Sequence, residues 1–367
     1  MHESKNVLFV IDHFGSGGAQ RQVVNLANGL SNKGFKVHIV VYYPQYDHHR
    51  YALRSEVVVH ELSKRTKLGI TVPFNILYLL YKYRYKAVFG FLDTPGLYLE
   101  LASLLYFHKT ALCYSERSSL ALQKKGPGYF IKQNLHKLCD FITSNSIAQT
   151  EALAAKFGSK KVRYIANAVP KVFHDVVKNS TTYSEKVFAV FSHTTPFKNF
   201  SYVVDSLIDY KVRFKSDPPI INWYGHIYES SELNIAREKL LLHGLQDSLI
   251  FHGPVSNVET ILSKVFFLLH PSRFESSANA VAEALSTGTP VILGNINDHP
   301  IIVKESCSGF LVDLSNPSSL ANSLNVALNI SEEEYGNLCR NAKLYSSYNY
   351  ADEVAVCKYL DIINNGC

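Results

Sequence analysis

The sequence predicts an α/β protein built from two successive parallel-sheet domains. Short apolar runs alternate with segments whose apolar residues fall at helical spacing. The alternation stops at a polar stretch near the middle of the chain and then starts again, and 367 residues suits two ordinary domains. With 47% hydrophobic and 19% charged residues and a mean hydropathy of −0.02, the composition is globular. Disorder, collagen and coiled coil are excluded as overall descriptions.

Taken in order, Asn6 to Asp12 reads as a buried strand. Val23, Leu26, Ala27 and Leu30 then recur at helical spacing over Ala19–Ser31, and Gly34 supplies a C-terminal stop. Phe35 to Tyr42 is the next strand, so the chain opens on a βαβ unit, which requires parallel pairing. Further strands are expected at Ala87–Leu92, Thr110–Tyr114, Phe141–Thr143 and Lys161–Ile165. Lys171 to Glu185, polar and carrying Asn179-Ser180-Thr181-Thr182, reads as the interdomain linker. The second series has strands at Val187–Phe191, Ile220–Tyr224, Leu249–Phe251, Val265–Leu269 and Val291–Leu293, with a helix at Leu233–His243 closed by Gly244. Tyr350 to Asn364 reads as a last helix, with Val354, Tyr359, Leu360 and Ile363 available to pack. The expected domains are therefore 1–175 and 176–350, with a C-terminal helix over 351–367 returning to the first domain. Two such domains leave a central cleft at the carboxyl ends of their strands, the default ligand site.

Residues 1–30 show no signal-peptide pattern, because the run Val7–Ile11 ends at Asp12 and glycines follow. The apolar stretch Leu68–Tyr81 is 14 residues and contains Pro73 and Asn75, too short to span a bilayer. Leu314 to Ser331 is longer but too rich in Ser and Asn to enter one. The six cysteines (Cys113, Cys139, Cys307, Cys339, Cys357, Cys367) form no C-x-x-C pair and read as reduced thiols. A soluble cytoplasmic protein is the expectation.

The net charge of +6 hides a split, since residues 1–180 carry 24 Lys/Arg against 11 Asp/Glu and residues 181–367 carry 13 against 20. A basic half points to an anionic partner: nucleic acid, anionic lipid or a pyrophosphate-bearing substrate. Leu77 to Lys86 places leucines and tyrosines beside Lys82, Arg84 and Lys86. Leu120 to Lys137 sets Lys124, Lys125, Lys132 and Lys137 around Tyr129 and Phe130. That mixture suits a helix in the headgroup region, where lysine stems snorkel. It also suits a core helix edged by lysines. Base stacking on single-stranded RNA ranks behind both, since no RNA-binding motif accompanies the aromatics.

Two motifs bear on chemistry. Gly15-Ser16-Gly17-Gly18-Ala19-Gln20 lies between the first strand and the first helix, where the backbone can approach a ligand and a helix N-terminus attracts anions. Gln20 stands where a dinucleotide fingerprint needs its last glycine, no ribose-binding acid closes the second strand, and no Lys-Ser/Thr follows as in a phosphate loop. The second motif runs His270-Pro271-Ser272-Arg273-Phe274-Glu275, then Ser276-Ser277-Ala278-Asn279, then Glu283-Ala284-Leu285-Ser286-Thr287-Gly288-Thr289-Pro290. Glu275 falls in a strand-to-helix loop and Glu283 one to two turns into the helix. A carboxylate accepts two or more hydrogen bonds, so the pair can grip sugar and ribose hydroxyls; a helical surface Glu beside an N-terminal dipole charge is the plainer alternative. His48-His49 reads as a solvated loop pair, Asp93-Thr94-Pro95-Gly96 as an ambiguous strand end, and no D-x-D occurs.

Ser272, Glu275, Asn279, Glu283, Ala284, Gly288 and Pro290 match in register the E-x7-E signature of retaining glycosyltransferases of the GT-B type, family four, which the chain therefore resembles. Ser276-Ser277-Ala278 replace that family's Gly-Phe-Pro. Gly17-Gly18-Ala19-Gln20-Arg21 resembles its G-G-A-E-R loop, Asn167-Ala168-Val169 its N-G-V, and Phe251-His252-Gly253-Pro254-Val255 its F-x-G-x-V. Ser192 to Asn199 aligns with G-R-x-x-x-x-K-N, keeping Lys198 but placing His193 at the usual Arg, whose bidentate fork an imidazole cannot reproduce.

The resemblance implies two Rossmann-like domains facing the cleft and a retaining, metal-independent hexosyltransferase. Catalytic residues would be Lys198, Glu275 and His193. Gly17, Gly18, Lys198, Ser276, Ser277, Ala278, Asn279, Glu283, Gly253 and Val255 would hold the donor. Glu275 would take the donor sugar and Glu283 the ribose, while Glu116 and Arg117 are acceptor-side candidates. No cofactor and no metal are expected, the nucleotide-sugar being a co-substrate. UDP-hexose or UDP-N-acetylhexosamine is the first donor expected and GDP-mannose the second. The expected acceptor is a lipid-pyrophosphate-linked glycan at the inner face of a bacterial membrane, in O-antigen, lipopolysaccharide or capsule-like polysaccharide biosynthesis, with peripheral attachment to anionic lipid and no nucleic acid. A sugar-nucleotide epimerase and a non-catalytic nucleotide-sugar-binding protein are the rival classes.

Overall fold

The computed structural model describes residues 5–64, 66, 68–119 and 126–365, so Lys124, Lys125 and Cys367 of the reading above lie outside the described residues. The chain forms two compact units: Val169–Ala351 is one, and the chain before it together with the segment from Asp352 is the other. The passage between units therefore falls after Ala168, where the sequence placed it at 175.

Unit 1 holds strands β1 (Asn6–Val10), β2 (Lys36–Val41), β3 (Val58–Glu61), β4 (Ala87–Phe91), β5 (Ala111–Glu116), β6 (Phe141–Ser144) and β7 (Val162–Tyr164). They form one parallel sheet in the order β3-β2-β1-β4-β5-β6-β7. Helices α1 (Gly18–Asn32), α2 (Thr71–Tyr83), α3 (Asp93–Ser103), α4 (Pro127–Leu135) and α5 (Ile147–Phe157) connect them. The central strands read as unbroken apolar runs because both faces are covered. Val7, Phe9 and Ile11 join one core with Val23, Leu26 and Leu30 of α1, while Leu8 and Val10 join the other with Val72, Ile76 and Leu80 of α2. Pro73 sits in the first turn of α2, where its missing N–H costs nothing.

Unit 2 holds α6 (Lys171–His174), α7 (Thr182–Glu185), β8 (Phe188–Phe191), α8 (Phe200–Phe214), β9 (Ile221–Tyr224), α9 (Ser231–Leu242), β10 (Leu249–Gly253), α10 (Val258–Leu262) and β11 (Phe267–His270). It continues with α11 (Asn279–Ser286), β12 (Val291–Gly294), α12 (His299–Ser306), β13 (Gly309–Val312), α13 (Pro317–Asn329) and α14 (Glu332–Asn349). The six strands are parallel in the order β10-β9-β8-β11-β12-β13. Both units thus have the doubly wound α/β plan, whose strand order reverses beside β1 and beside β8.

The segment Lys171–Glu185 is not a free linker. The Lys178 ammonium is buried and donates to the carbonyls of Leu262 (3.0 Å) and Val265 and to Thr289 Oγ1 (2.9 Å), and burial pushes its pKa down to about 7. Thr182 Oγ1 donates to the Ser263 carbonyl at 3.1 Å, so the polar residues that read as a linker are the ones that pin it. Strands β3 and β13, absent from the sequence reading, are four-residue edge strands with little buried side chain of their own. The last helix, α15 (Asp352–Asn365), belongs to unit 1, where Val356, Tyr359 and Ile363 are buried against α1 and the sheet.

Candidate active site

The clustered ionisable groups lie at the strand reversal of unit 2. Strand β8 runs into a loop carrying His193 and Lys198, and its neighbour β11 runs into a loop carrying Glu275. The two loops are tied, because the Arg273 N–H donates to the Phe197 carbonyl at 2.8 Å and the Phe197 and Phe274 rings meet edge-on at 5.7 Å. Lys198 Nζ and Glu275 Oε1 form an ion pair, with 23% and 15% of their side chains exposed. His270 Nε2 reaches the same oxygen at 3.1 Å, and Asn297 Nδ2 donates to the Glu275 carbonyl. Burial disfavours the Glu275 carboxylate, but His270 and Lys198 outweigh it and hold the pKa far below the usual carboxylate range. Glu275 is therefore an anion throughout the working pH range.

The β8 loop is shaped by backbone as well as charge. A Cβ on Gly225 would lie 2.1 Å from the Ser192 carbonyl oxygen, and φ there is +147°, so only glycine lets the turn after β9 pass this close. Trp223 is fully buried and donates its indole N–H to that same Ser192 carbonyl at 2.7 Å. Thr194 is buried, its Oγ1 accepting from the Tyr228 N–H at 2.7 Å. His193 points outward beside His226 (ring centroids 5.4 Å) and Tyr228 (5.7 Å). Partial desolvation lowers its pKa below the ordinary imidazole value, and the neighbouring His226 and Lys198 lower it further. It is a neutral donor before any anion arrives.

The remaining unit 2 candidates surround this point. Ser276, Ser277 and Ala278 are half-buried in the β11 loop, with Ala278 at the N-cap of α11 and Asn279 in its first turn. Glu283 lies in the second turn and is buried, at 4% exposure. The Gly253 carbonyl accepts from the Gly225 N–H at 2.8 Å, joining the ends of β9 and β10, and Val255 follows half-buried. Phe191, Tyr224 and His252 stack in series at 5.0 and 4.7 Å along these strand ends. The sequence reading quoted His270 at the head of the second motif without a role and did not single out His299. The available signal was a histidine ending the otherwise apolar run Phe266 to Leu269.

The unit 1 candidates are built differently. Gly17 caps α1 without a side-chain hydrogen bond, and the first turn carries no acidic residue, so its amides are left for an incoming group. Asp12 braces the loop by accepting from Gln20 Nε2 and the His13 N–H, both at 2.9 Å. His49 is half-buried beside Gly17, with its pKa lowered to about 4 chiefly by desolvation, so the pair read as solvated is so only at His48. Glu116 is buried and accepts from Tyr114 OH (2.9 Å), the Ser118 N–H (2.9 Å) and Ser118 Oγ (2.6 Å). Arg117, also buried, donates to Ser115 Oγ (3.0 Å), Asn167 Oδ1 (2.9 Å) and Tyr359 OH (2.5 Å). Its guanidinium fastens α15 to the sheet.

Comparison with known proteins places this arrangement. Residues 16–171 match the family model described as Glycosyltransferase Family 4, and residues 186–329 match that described as Glycosyl transferases group 1. With the two doubly wound units, these matches define a glycosyltransferase of the GT-B class. The chain belongs to the family-four type. It is similar to the Anabaena protein Alr3699/HepE, whose crystal structure contains UDP (TM-score 0.84, 15% identity, covering 98% of this chain and 100% of that one). A glycosyltransferase from Rickettsia africae is similarly close in fold (TM-score 0.83, 15% identity, 100% and 99% covered). So is the lipopolysaccharide outer core galactosyltransferase WaaB in its apo form (TM-score 0.76, 16% identity, 99% and 100% covered). Among curated relatives, an Escherichia coli UDP-Gal:alpha-D-GlcNAc-diphosphoundecaprenol alpha-1,3-galactosyltransferase is 31% identical over 155 residues. That match spans 41% of this chain and 36% of the relative.

Proposed function

We propose that the protein transfers a hexose, with retention of anomeric configuration, from a nucleotide-diphosphate sugar to a lipid-pyrophosphate-linked glycan in the assembly of a bacterial surface polysaccharide. The observation that carries this is the Lys198–Glu275 pair at the strand reversal of unit 2. It sets a cation for a diphosphate beside a permanently ionised carboxylate for sugar hydroxyls. Departure of a nucleoside diphosphate builds negative charge on its β-phosphate, which Lys198, His193 and helix N-terminal amides would stabilise in a metal-independent reaction. Glu275 would hold the donor sugar and the buried Glu283 the ribose. A UDP-linked hexose is the first donor, supported by the E. coli relative that uses UDP-Gal, and GDP-mannose the second. With no nucleophile identified for a double displacement, same-face substitution is the working mechanism.

A lipid-linked acceptor requires access to a membrane, and unit 1 has a suitable surface. Among the described residues no helix is long and apolar enough to cross a bilayer. Yet Phe74 and Tyr78 on α2, Leu101 on α3, Leu104 and Phe107 just after it, and Phe130 on α4 are all exposed. From Leu62 to Cys139 the chain carries twelve Lys/Arg and three acidic residues. Two of the three, Glu100 and Glu116, are buried, and the third, Asp93, is paired with Lys132 at 2.8 Å. Exposed apolar side chains on a segment with a cationic excess suit peripheral attachment to the anionic inner face of a cytoplasmic membrane.

The deciding experiment is calorimetry against UDP-, GDP-, ADP- and dTDP-sugars, followed by transfer to a polyprenyl-diphosphate-linked sugar with the product anomer read by NMR. Binding of one nucleotide class and formation of a retained-anomer glycoside are the expected results. An inverted product overturns the retaining mechanism, and donor turnover without an acceptor product overturns the transferase reading. Sedimentation with vesicles of anionic lipid at low salt, lost at high salt, is expected for the attachment; no sedimentation at low salt overturns it.

A further inference from the structure

His270 is the last residue of β11 and is 2% exposed. Its Nε2 lies 3.1 Å from Glu275 Oε1, while its Nδ1 is buried without a hydrogen-bond partner. A ring protonated at both nitrogens would bury an N–H with no acceptor. A ring protonated only at Nε2 leaves a lone pair unmet, which costs less. The Nε2–H is therefore the bond that fixes the ring, and it donates to the carboxylate. His299 stands edge-on to the ring at 5.6 Å and 81° and gives it no acceptor either, its own Nδ1 lying 2.8 Å from the Gly294 carbonyl.

The same oxygen, Oε1, also receives Lys198, whereas Oε2 has no hydrogen bond from any described residue. An ammonium on a flexible stem supplies charge but little direction, because it can swing around a carboxylate. An imidazole fixed at the end of a strand supplies direction. We propose that His270 is a positioning residue that locks the Glu275 carboxylate with Oε2 turned toward the donor sugar. This rests on the reading of Glu275 as the sugar-holding group. Lys198 supplies the charge at this point and His270 the orientation.

The test compares wild type, His270→Leu, His270→Gln and Glu275→Gln by titration with UDP-galactose and GDP-mannose, each against its bare nucleoside diphosphate. His270→Leu should weaken the sugar nucleotide about tenfold or more, the worth of one hydrogen bond to a charged group, and leave the nucleoside diphosphate unchanged. His270→Gln, whose amide nitrogen reaches the Nε2 position, should restore most of that loss and the accompanying fall in kcat. Binding of the bare nucleoside diphosphate reports that each variant is folded. Should the leucine variant not fold, His270→Asn replaces it, because its amide falls short of Glu275 and must show the same selective loss. Equal weakening of both ligands, no weakening, or a glutamine variant as poor as leucine overturns the positioning role. If Glu275→Gln itself leaves sugar-nucleotide binding intact, or wild type binds neither sugar nucleotide, the underlying donor reading fails instead.

Discussion

At the strand reversal of unit 1, between β1 and β4, the loop after β1 offers glycine backbone and an uncapped helix end, Asp12 braces it, and Asp93 after β4 is paired with Lys132. At the same place in unit 2, between β8 and β11, the loops carry Lys198, Glu275 and His193. The outer surfaces differ as well: exposed phenylalanines and leucines among cations mark α2 to α4 of unit 1, while the acidic excess of the chain lies in its second half. One strand plan thus carries two different sets of side chains. A fold of this kind dictates where a ligand can sit, and the side chains at that place dictate what is done there.

Four measurements bear on that contrast. The largest effect is expected at Lys198, since Lys198→Ala removes charge from the leaving group and also strands the Glu275 anion. The turnover should fall by about 10²–10³ with folding intact, and a loss below tenfold would remove Lys198 from the leaving-group site. Next, the double change Leu104→Ser and Phe107→Ser removes exposed apolar side chains worth about 1.5–3 kcal/mol each when buried in lipid. It should cut anionic-vesicle binding at least tenfold while a short-chain soluble acceptor is turned over as before; unchanged vesicle binding would move the attachment elsewhere.

The third measurement is smaller and concerns stability. His38 in unit 1 and His299 in unit 2 each have a pKa lowered to about 4, chiefly by burial, whereas the unfolded imidazole protonates near 6.5. Between these values the unfolded state holds more protons. The contribution of these two histidines to stability is therefore complete above pH 6.5, declines as the pH falls toward 4 and then levels off. Melting scans from pH 7 to 4 should show a drop of several degrees, and His299→Leu should flatten the component belonging to unit 2; an unaltered slope in that variant would contradict the assignment. The smallest effect is at His193, whose charge is suppressed until an anion binds. UDP affinity should rise a few-fold as pH falls from 7.5 to 5.5 and be flat in His193→Ala, and parallel slopes in the two proteins would remove His193 from the diphosphate site.

Much of the fold was legible because both faces of each central sheet are buried, which turns strands such as Asn6–Val10 and Phe267–His270 into apolar blocks. Edge strands Val58–Glu61 and Gly309–Val312 lack that signature and were missed. Lys178 shows a second limit: a lysine in a polar stretch signals solvent, yet this one is buried because three oxygens from distant segments converge on it. At the site, the spacing of Glu275 and Glu283 was readable, and so was Lys198. The ion pair between Lys198 and Glu275, 77 positions apart, and the histidine behind it were not, since only tertiary pairing of β8 with β11 brings them together.

Trp223 is the single tryptophan of the chain, and its indole N–H is bonded to the backbone from which the His193 loop departs. The indole fluorophore of the protein consequently lies in unit 2. Emission excited at the long-wavelength edge of the indole band, where tyrosine no longer absorbs, therefore reads the surroundings of the β8 and β9 strand ends without labelling.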